Sequence, residues 1–177
     1  MFNLFGKKNQ EIQVIDKIWM SEKAKWDGLV GEWKKDQAII IAAWFETTLR
    51  HLETLFAQET NSSGSLFMVQ ELHSSQISDR QILFAEHYPL HRKEQETYAH
   101  LNLKQAIVHS AMDEALFKHF GGDKIAGMMK QMGMAADSVV EHKLISNAIG
   151  NAQVKIEKKV ISEHLATSQK EWIERNL

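Results

Sequence analysis

The chain has 177 residues, a formal net charge of −2 and no cysteine. This length suits a single domain, with or without an appendage, and it is sufficient to bury a core. The nearly neutral charge argues against a nucleic-acid-binding protein, because such proteins normally carry a basic excess. Without cysteine the chain has no disulfides or thiolate metal sites, which is compatible with a location in the cytoplasm.

Residues 1–10 are predicted to be a loose N-terminus. Phe2, Leu4 and Phe5 precede a pair of lysines, so residues 1–8 are expected to make at most a weak contact with a membrane surface. The apolar run is too short for a signal peptide. No run in the chain approaches the ~20 apolar residues that a membrane-spanning helix needs, so no such helix is expected.

Residues 11–134 alternate between short apolar runs and amphipathic stretches. The second apolar run is rich in isoleucine and bounded by polar residues, which is typical of a strand buried on both faces of a parallel sheet. Strands that alternate with helices at this spacing predict an α/β fold with a mostly parallel sheet of about five strands. The predicted strands are residues 14–20, 38–43, 66–69, 82–85 and 106–108.

Apolar residues at helical spacing mark the predicted helices between these strands. Ser21 is placed to cap the first helix, whose apolar stripe includes Leu29 and Trp33. The second helix follows the second strand directly and carries apolar residues as far as Phe56. A third helix is predicted at residues 91–101.

Residues 113–134 are predicted to form two short helices separated by a pair of glycines. Gly121 and Gly122 end the first helix, because glycine readily adopts the left-handed conformation found there. Asp123 is expected to cap the second helix, which ends at Gly133. Its expected buried residues are Ile125, Met128, Met129 and Met132. The methionines also suit an adaptable binding surface, but filling of the core is the favoured interpretation.

The C-terminal residues 135–177 are predicted to form a long helix that extends from the α/β domain. Ser138 and Glu141 have the spacing of a capping box. One seam of the helix consists of Leu144, Ala148, Ala152 and Ile156. A helix that continues to Trp172 would be about 50 Å long, which exceeds the width of the domain. It must therefore lie across the surface, project outward or break near Val160.

The stretch from residue 110 to residue 157 resembles the SecA preprotein translocase family in both the order and the spacing of its residues. It is similar to the segment that closes the second motor lobe of SecA and leads into its helical scaffold. Gly150 departs from the family, which usually has an acidic residue there. The matching positions are Ser110, Asp113, Glu114, Leu116, 120–125, Met129, Met132, Gly133, Met134, Glu141, His142, 144–146, Ala148, Ile149, Ala152, Gln153 and 155–157.

This resemblance implies that residues 11–134 form a degenerate RecA-like second lobe of the translocase and helicase type. Residues 38–56 fit the strand and helix of the fourth helicase motif by pattern. A later strand of the family ends in glutamate and leads into an arginine-rich helix with an Asp-Asn pair. The corresponding positions here are Glu86, Arg92, Glu94 and Gln95. Lys93 stands where the family usually has an apolar residue.

The motifs needed for ATP hydrolysis are missing from the sequence. No Walker A string is present, and no acidic Walker B element follows a suitable strand. The family's Gly-Arg-x-Gly-Arg finger motif is replaced by Tyr-Ala-His-Leu-Asn-Leu at residues 98–103. Loss of an arginine finger costs about 10³–10⁵ in rate. We therefore expect no ATPase activity from this chain alone, and no cofactor.

The nine histidines raise the hypothesis of a metal site, for which His87 and His91 near Glu86 are the best candidates. Pro89 lies between the two histidines and argues against a shared helical face. A metal site needs three or four converging ligands, so we predict none. For His119, on an otherwise apolar helix, we predict a packing role.

The sequence therefore predicts a non-catalytic SecA-like protein of the cytoplasm that acts through protein–protein binding, with an accessory role in protein translocation as one form of this hypothesis. The expected partner is the translocase motor, its channel or a second copy of this chain. The candidate partner-binding residues are Leu144, Ala148, Ala152, Ile156, Trp172 and Ile173.

Two alternatives remain open at this point. The first is a nucleotide-binding regulatory module without hydrolysis, in which Glu86 and Arg92 contact the nucleotide. The second is an enzyme of unrelated chemistry built on the same sheet, because a fold does not determine a function.

Overall fold

A six-stranded sheet forms the centre of the protein in a computed structural model that describes residues 11–57, 59 and 64–177. Its strands lie in the order β3-β2-β4-β5-β1-β6. All strands are parallel except β6, which is antiparallel to β1. The strands are β1 (Gln13–Trp19), β2 (Ile40–Ala43), β3 (Leu66–Met68), β4 (Ile82–Phe84), β5 (Gln105–Ala111) and β6 (Val139–Val140). The predicted α/β class and its five parallel strands are confirmed, and β6 was not predicted.

Helices cover both faces of this sheet. The helices in the described residues are α1 (Glu22–Lys35), α2 (Glu46–Phe56), α3 (Ser74–Ile77), α4 (His91–His100), α5 (Ala115–His119), α6 (Gly122–Gln131), α7 (Lys143–Glu157) and α8 (Gln169–Asn176). As predicted, Ser21 caps α1, because its hydroxyl oxygen accepts the Ala24 backbone N–H at 3.2 Å. None of these helices is both long and apolar enough to cross a bilayer.

Successive residues of the central strands enter two different cores. Ile41 of β2 packs with Trp33 of α1 and Phe56 of α2 on one face. Ile40 of the same strand belongs to the opposite core, with Tyr98 of α4 and Trp172 of α8. Because side chains alternate along a strand, an apolar residue is needed at every position of a strand buried in this way. The isoleucine-rich sequence of β2 follows from this requirement.

Helix α6 begins one residue before the predicted cap and buries a different face. Gly121, at φ +85°, is its N-cap instead of Asp123. Gly122 approaches the neighbouring backbone so closely that a Cβ there would lie 2.3 Å from the Met112 carbonyl oxygen. This close approach orients the helix so that Gly122 and Ala126 are buried and Met129 is partly buried.

The prediction that Ile125, Met128 and Met132 are buried is wrong. Their side chains are 45%, 64% and 77% exposed. Ile125 and Met128 lie on α6, and Met132 is its C-cap residue. The three residues stand at i, i+3 and i+7 and form one outward stripe. We call these three residues the α6 stripe. Gly133, at φ +89°, follows the helix as predicted.

The C-terminal region differs from the predicted helix at its start and in its buried face. Val139 and Val140 form β6 instead of a capping box, and His142 caps α7 by accepting the Leu144 N–H at 3.1 Å. The buried side chains of α7 are Ile149, Gln153 and Ile156, so the predicted seam is displaced around the helix.

A break after α7 divides the C-terminal region into two helices, so no helix of about 50 Å is formed. The helix ends at Glu157, and the chain resumes helical structure only at Gln169. Of the three outcomes that the sequence allowed, the break near Val160 is the one observed. The division of the chain between residues 134 and 135 stays a prediction.

Replacement of Trp172 by alanine should lower the free energy of unfolding by about 3–5 kcal/mol, because a fully buried indole leaves a cavity. Urea denaturation measures this change. Ile161, whose side chain is fully exposed, provides the control, and Ile161→Ala should stay within about 0.5 kcal/mol of the parent protein. Equal effects of the two substitutions would contradict the burial of Trp172.

Candidate functional site

The sheet has a topological switch point between β2 and β4. From β2 the chain continues to β3 on one side, and from β4 it continues to β5 on the other side. The loops that follow the two strands therefore diverge and leave a crevice at their carboxyl ends. In open α/β sheets ligands bind in such crevices, so the crevice between β2 and β4 is the first place to look for a site.

Glu86 occupies this crevice. Its Oε1 atom accepts the backbone N–H groups of Trp44 and Phe45, each at 3.1 Å, and its Oε2 atom accepts the Thr48 hydroxyl at 2.7 Å. Helix α2 starts at Glu46 and has no side-chain cap from its own N-cap residue. A helix N-terminus attracts anions. Here the carboxylate of the chain itself takes the place that a ligand anion would otherwise use.

Burial determines the charge state of Glu86. The side chain is 4% exposed, and this burial raises its pKa to about 7, although Lys25 and the Thr48 hydroxyl favour the charged form. A protonated Glu86 retains the same contacts, because Oε1 still accepts two N–H groups and Oε2 then donates to Thr48. The arrangement therefore persists on both sides of neutral pH.

The chain's own C-terminal segment closes the crevice from outside. We call residues 163–172 the C-terminal strap. The backbone N–H and the hydroxyl of Thr47 both donate to the Thr167 carbonyl at 3.1 Å. The Gln169 side chain accepts the Leu116 N–H at 2.7 Å and donates to the His87 carbonyl at 3.0 Å. The strap thus occupies main-chain groups at the carboxyl edge that a ligand would need.

Trp172 anchors the far end of the strap. Its indole N–H donates to Glu163 Oε1 at 2.8 Å, and its ring meets Tyr88 edge-on at 6.0 Å. Tyr88 also donates its hydroxyl to Glu163. These contacts hold both ends of the strap against the turn that follows β4.

A cavity of about 240 Å³ remains beneath the strap, lined by Lys25, Thr48, Glu86, Glu114 and Gln169 among others. Lys25 and Glu114 are both buried and form an ion pair of 2.9 Å. Small-molecule sites usually measure about 300–1,000 Å³. The cavity is smaller than this range, and its buried lysine, Lys25, is already paired.

A larger cavity of about 520 Å³ lies beside the strap, with Trp44, Leu72, Tyr88 and Leu101 in its mainly apolar wall. Its one lysine, Lys93, donates to the Tyr88 hydroxyl at 2.9 Å and lies 3.4 Å from Glu163. The lysine therefore takes part in anchoring the strap.

The structure does not bring Glu86 and Arg92 into one site. Arg92 lies in the first turn of α4, and its exposed guanidinium pairs with Glu96 at 2.9 Å. Its backbone N–H donates to Glu157. Glu86 has its partners in the loop after β2 and in α2. Contact of these two residues with a nucleotide stays a prediction.

A buried ionic cluster next to the crevice was not predicted. His87 Nε2 donates to Asp16 Oδ1 at 2.5 Å, and His87 Nδ1 donates to Glu94 Oε1 at 2.9 Å. Burial lowers the pKa of His87, but the Glu94 and Asp16 carboxylates outweigh it and hold the pKa well above its usual range. Gln153 of α7 also donates to Glu94, at 2.9 Å. The cluster thus joins β1, the turn after β4, α4 and α7.

The two histidines of the metal hypothesis have different surroundings. His87 lies in the buried cluster, whereas His91 lies 3.5 Å from Glu11 at the start of α4. No group of three or more His, Asp or Glu side chains in the described part of the chain is arranged to hold a metal ion.

The candidate partner-binding residues fall into two groups. Leu144 and Ala148 are exposed on α7, and Ala152 is half-buried. Ile156 and Trp172 are buried in the core, and Ile173 packs partly against it. The apolar side chains near the chain end therefore serve the fold in this structure, and binding of a partner by these residues stays a prediction.

No family model matches the chain. The protein translocase subunit SecA of Acinetobacter baylyi is 43% identical to it over 47 residues, which are 27% of this chain and 5% of that protein. The SecA subunits of Alkaliphilus oremlandii and Acetivibrio thermocellus are each 40% identical over 47 residues, with the same coverage.

One segment of this chain is SecA-like. The match confirms the predicted resemblance over that segment, and it spans about 5% of the length of these curated relatives. Assignment of the whole chain to a motor lobe goes beyond this match.

The raised pKa of Glu86 predicts a characteristic pH dependence. Because the folded state holds this proton more tightly than the unfolded state, the Glu86 contribution to stability is complete below about pH 4.5 and is lost as the pH rises to about 7. The loss should be on the order of 3 kcal/mol.

Glu86→Gln preserves the shape and removes this titration. Urea denaturation at several pH values should show that the difference in stability between the variant and the parent protein grows in favour of the variant from pH 4.5 to pH 7. Parallel profiles for the two proteins would show that Glu86 titrates normally.

Replacement of His87 by glutamine should destabilise the fold by about 3–5 kcal/mol at pH 7, because it leaves Asp16 and Glu94 buried without their cation. Chemical denaturation measures the change. His119→Gln is the control because His119 is exposed, so its predicted packing role is wrong. A change below 1 kcal/mol for His87→Gln would mean that the imidazole is not protonated between the carboxylates.

Proposed function

We propose that this protein is a non-catalytic, SecA-like binding protein that acts in protein translocation through the α6 stripe. The observation that carries the proposal is the outward position of three large apolar side chains on one helix and its C-cap residue. Ile125, Met128 and Met132 lie within the stretch whose residues resemble SecA, and all three are exposed. Clustered exposed apolar residues of this kind mark protein-interaction sites.

The chemistry of the α6 stripe suits a protein partner. Methionine is unbranched and polarisable, so it adapts to apolar surfaces of different shapes. Amphipathic helices that bind in apolar grooves use anchor residues at this same i, i+3 and i+7 spacing. The buried side of α6, which includes Ala126 and Met129, holds the helix on the domain while the stripe faces outward.

A non-catalytic role is supported by the sequence and by the crevice. The sequence lacks the Walker A, Walker B and finger motifs. At the carboxyl edge of the sheet, Glu86 takes the anion position of α2, and the C-terminal strap takes the Thr47 N–H. The nucleotide-binding alternative has weaker support, because Glu86 and Arg92 have separate partners.

The proposed partner is the translocase motor of the host or its channel, and the proposed location is the cytoplasm. A second copy of this chain is the competing partner. Analytical ultracentrifugation of the purified protein distinguishes the two, because self-association through the α6 stripe would give a dimer that Met132→Glu dissociates.

Met132→Glu should weaken binding of the purified host translocase motor at least tenfold in biolayer interferometry, because it places a charge in an apolar contact. Gln131→Glu adds the same charge at the neighbouring exposed residue of α6 and should leave the affinity unchanged. Equal affinities for the two variants, or no binding of the motor or its channel by the parent protein, would exclude the α6 stripe as the translocase surface.

A further inference from the structure

The methionines in and around α6 differ widely in their exposure. Met128 and Met132 are 64% and 77% exposed, whereas Met129 and Met134 are half-buried and pack against the core cluster that includes Ala126 of α6. Of the methionines that the structure describes, only the two of the α6 stripe are therefore mainly exposed. The buried ones, at most 9% exposed, are Met20, Met68 and Met112.

The two exposed methionines are neighbours on one face of the helix. They stand at i and i+4, a spacing that places side chains on the same face one turn apart. The Met132 N–H donates to the Met128 carbonyl at 3.0 Å. Met129 lies about 100° further around the helix axis, and it packs partly against the core. Two thioethers thus share the outward face.

No thiol in this chain competes with these thioethers for an oxidant, because the sequence contains no cysteine. Peroxides oxidise the sulfur atoms of proteins, and methionine gives the sulfoxide. The oxidant has to touch the sulfur atom, so a side chain packed in the core is shielded and an exposed one is not. Among the described residues, exposure therefore selects Met128 and Met132 as the methionines that react first.

We propose that Met128 and Met132 are sites of reversible oxidation by hydrogen peroxide, which switches the α6 stripe from an apolar to a polar surface. In each reaction the O–O bond of the peroxide breaks, one oxygen atom forms an S–O bond with the thioether, and the other leaves as water. The sulfur is oxidised by two electrons, and the peroxide is reduced by two. Methionine sulfoxide reductases return the sulfoxide to the thioether.

The sulfoxide changes what the α6 stripe binds. Its oxygen accepts hydrogen bonds from water, and the burial of such a group against an apolar surface without a partner costs free energy. Two of the three side chains of the stripe are changed, since Ile125 has no sulfur. The expected loss of translocase binding rests on the proposed function, whereas the selective oxidation and the loss of apolar character do not.

Oxidation at these two positions should leave the fold intact. The helix is held on the domain by its other side, where Gly122 and Ala126 are buried. The midpoint of urea denaturation should therefore be the same for the reduced and the oxidised protein. Oxidation of a core methionine such as Met112 would instead place a polar group in the interior and lower the midpoint.

The first test treats the purified full-length protein with hydrogen peroxide and locates the added oxygen by peptide mass spectrometry, with fragment spectra to separate Met128 from Met129. We expect Met128 and Met132 to be oxidised at least tenfold faster than the three buried methionines. In concentrated urea the rates should converge, because the structure and not the local sequence causes the difference.

The second test measures the apolar character of the stripe by retention on a phenyl-agarose column. Peroxide should shorten the retention of the parent protein, and methionine sulfoxide reductase should restore it. The double variant Met128→Leu and Met132→Leu keeps the stripe apolar without a thioether, so peroxide should leave its retention unchanged. Met129→Leu is the matched control on the inner side of α6 and should respond to peroxide like the parent protein.

The same samples are then compared for binding of the purified host translocase motor. The oxidised parent protein should bind at least tenfold more weakly than the reduced one, and the double leucine variant should bind equally before and after oxidation. A parent protein that never binds the motor, but whose stripe is oxidised selectively and loses retention reversibly, excludes the proposed function and supports the inference.

Three results would overturn the inference. The first is oxidation of the buried methionines as fast as that of Met128 and Met132. The second is equal retention of the oxidised parent protein and the oxidised double leucine variant. The third is a motor that binds the reduced and the oxidised parent protein with the same affinity.

Discussion

The contact of a buried histidine with two carboxylates is the interaction on which the rest of this structure depends. His87 follows β4 and binds Asp16 of β1 and Glu94 of α4, and Gln153 of α7 completes the contacts of Glu94. Loss of the partner of a buried carboxylate costs about 3–5 kcal/mol, so these contacts strongly favour the observed arrangement. These contacts fix the turn after β4 relative to the sheet. In this position Glu86 accepts the Trp44 N–H in front of α2, and the His87 carbonyl accepts the side-chain amide of Gln169.

The backbone groups at the carboxyl edge of the sheet are consequently bound by other parts of the same chain. In other open α/β sheets a ligand supplies the anion at the helix N-terminus and the contacts in the crevice. In this protein Glu86 supplies the anion, and the C-terminal strap supplies a carbonyl and an amide. The exposed apolar stripe lies elsewhere, on the outer face of α6.

Local sequence patterns predicted the positions of the helices and strands well. They predicted less well which face of each helix is buried. The isoleucine run of β2 and the serine cap of α1 have purely local causes, and both were predicted correctly. The buried face of α6 was not, because apolar residues lie on two sides of this helix and the close approach at Gly122 selects one of them. Likewise Val139 and Val140 form a strand only because the edge of β1 is available beside them.

The sequence by itself determined the alternation of strands and helices, the parallel sheet and the segment that is similar to SecA. These follow from periodicity, capping residues and the order of side chains, all of which are local. Only the tertiary structure decided that Trp172 anchors a strap, that Glu86 binds the backbone in front of α2 from another loop, and that His87 lies between two carboxylates. The hydrogen bonds responsible join residues that are 7 to 82 positions apart. No local pattern encodes such pairings, because they depend on how the finished sheet brings its loops together.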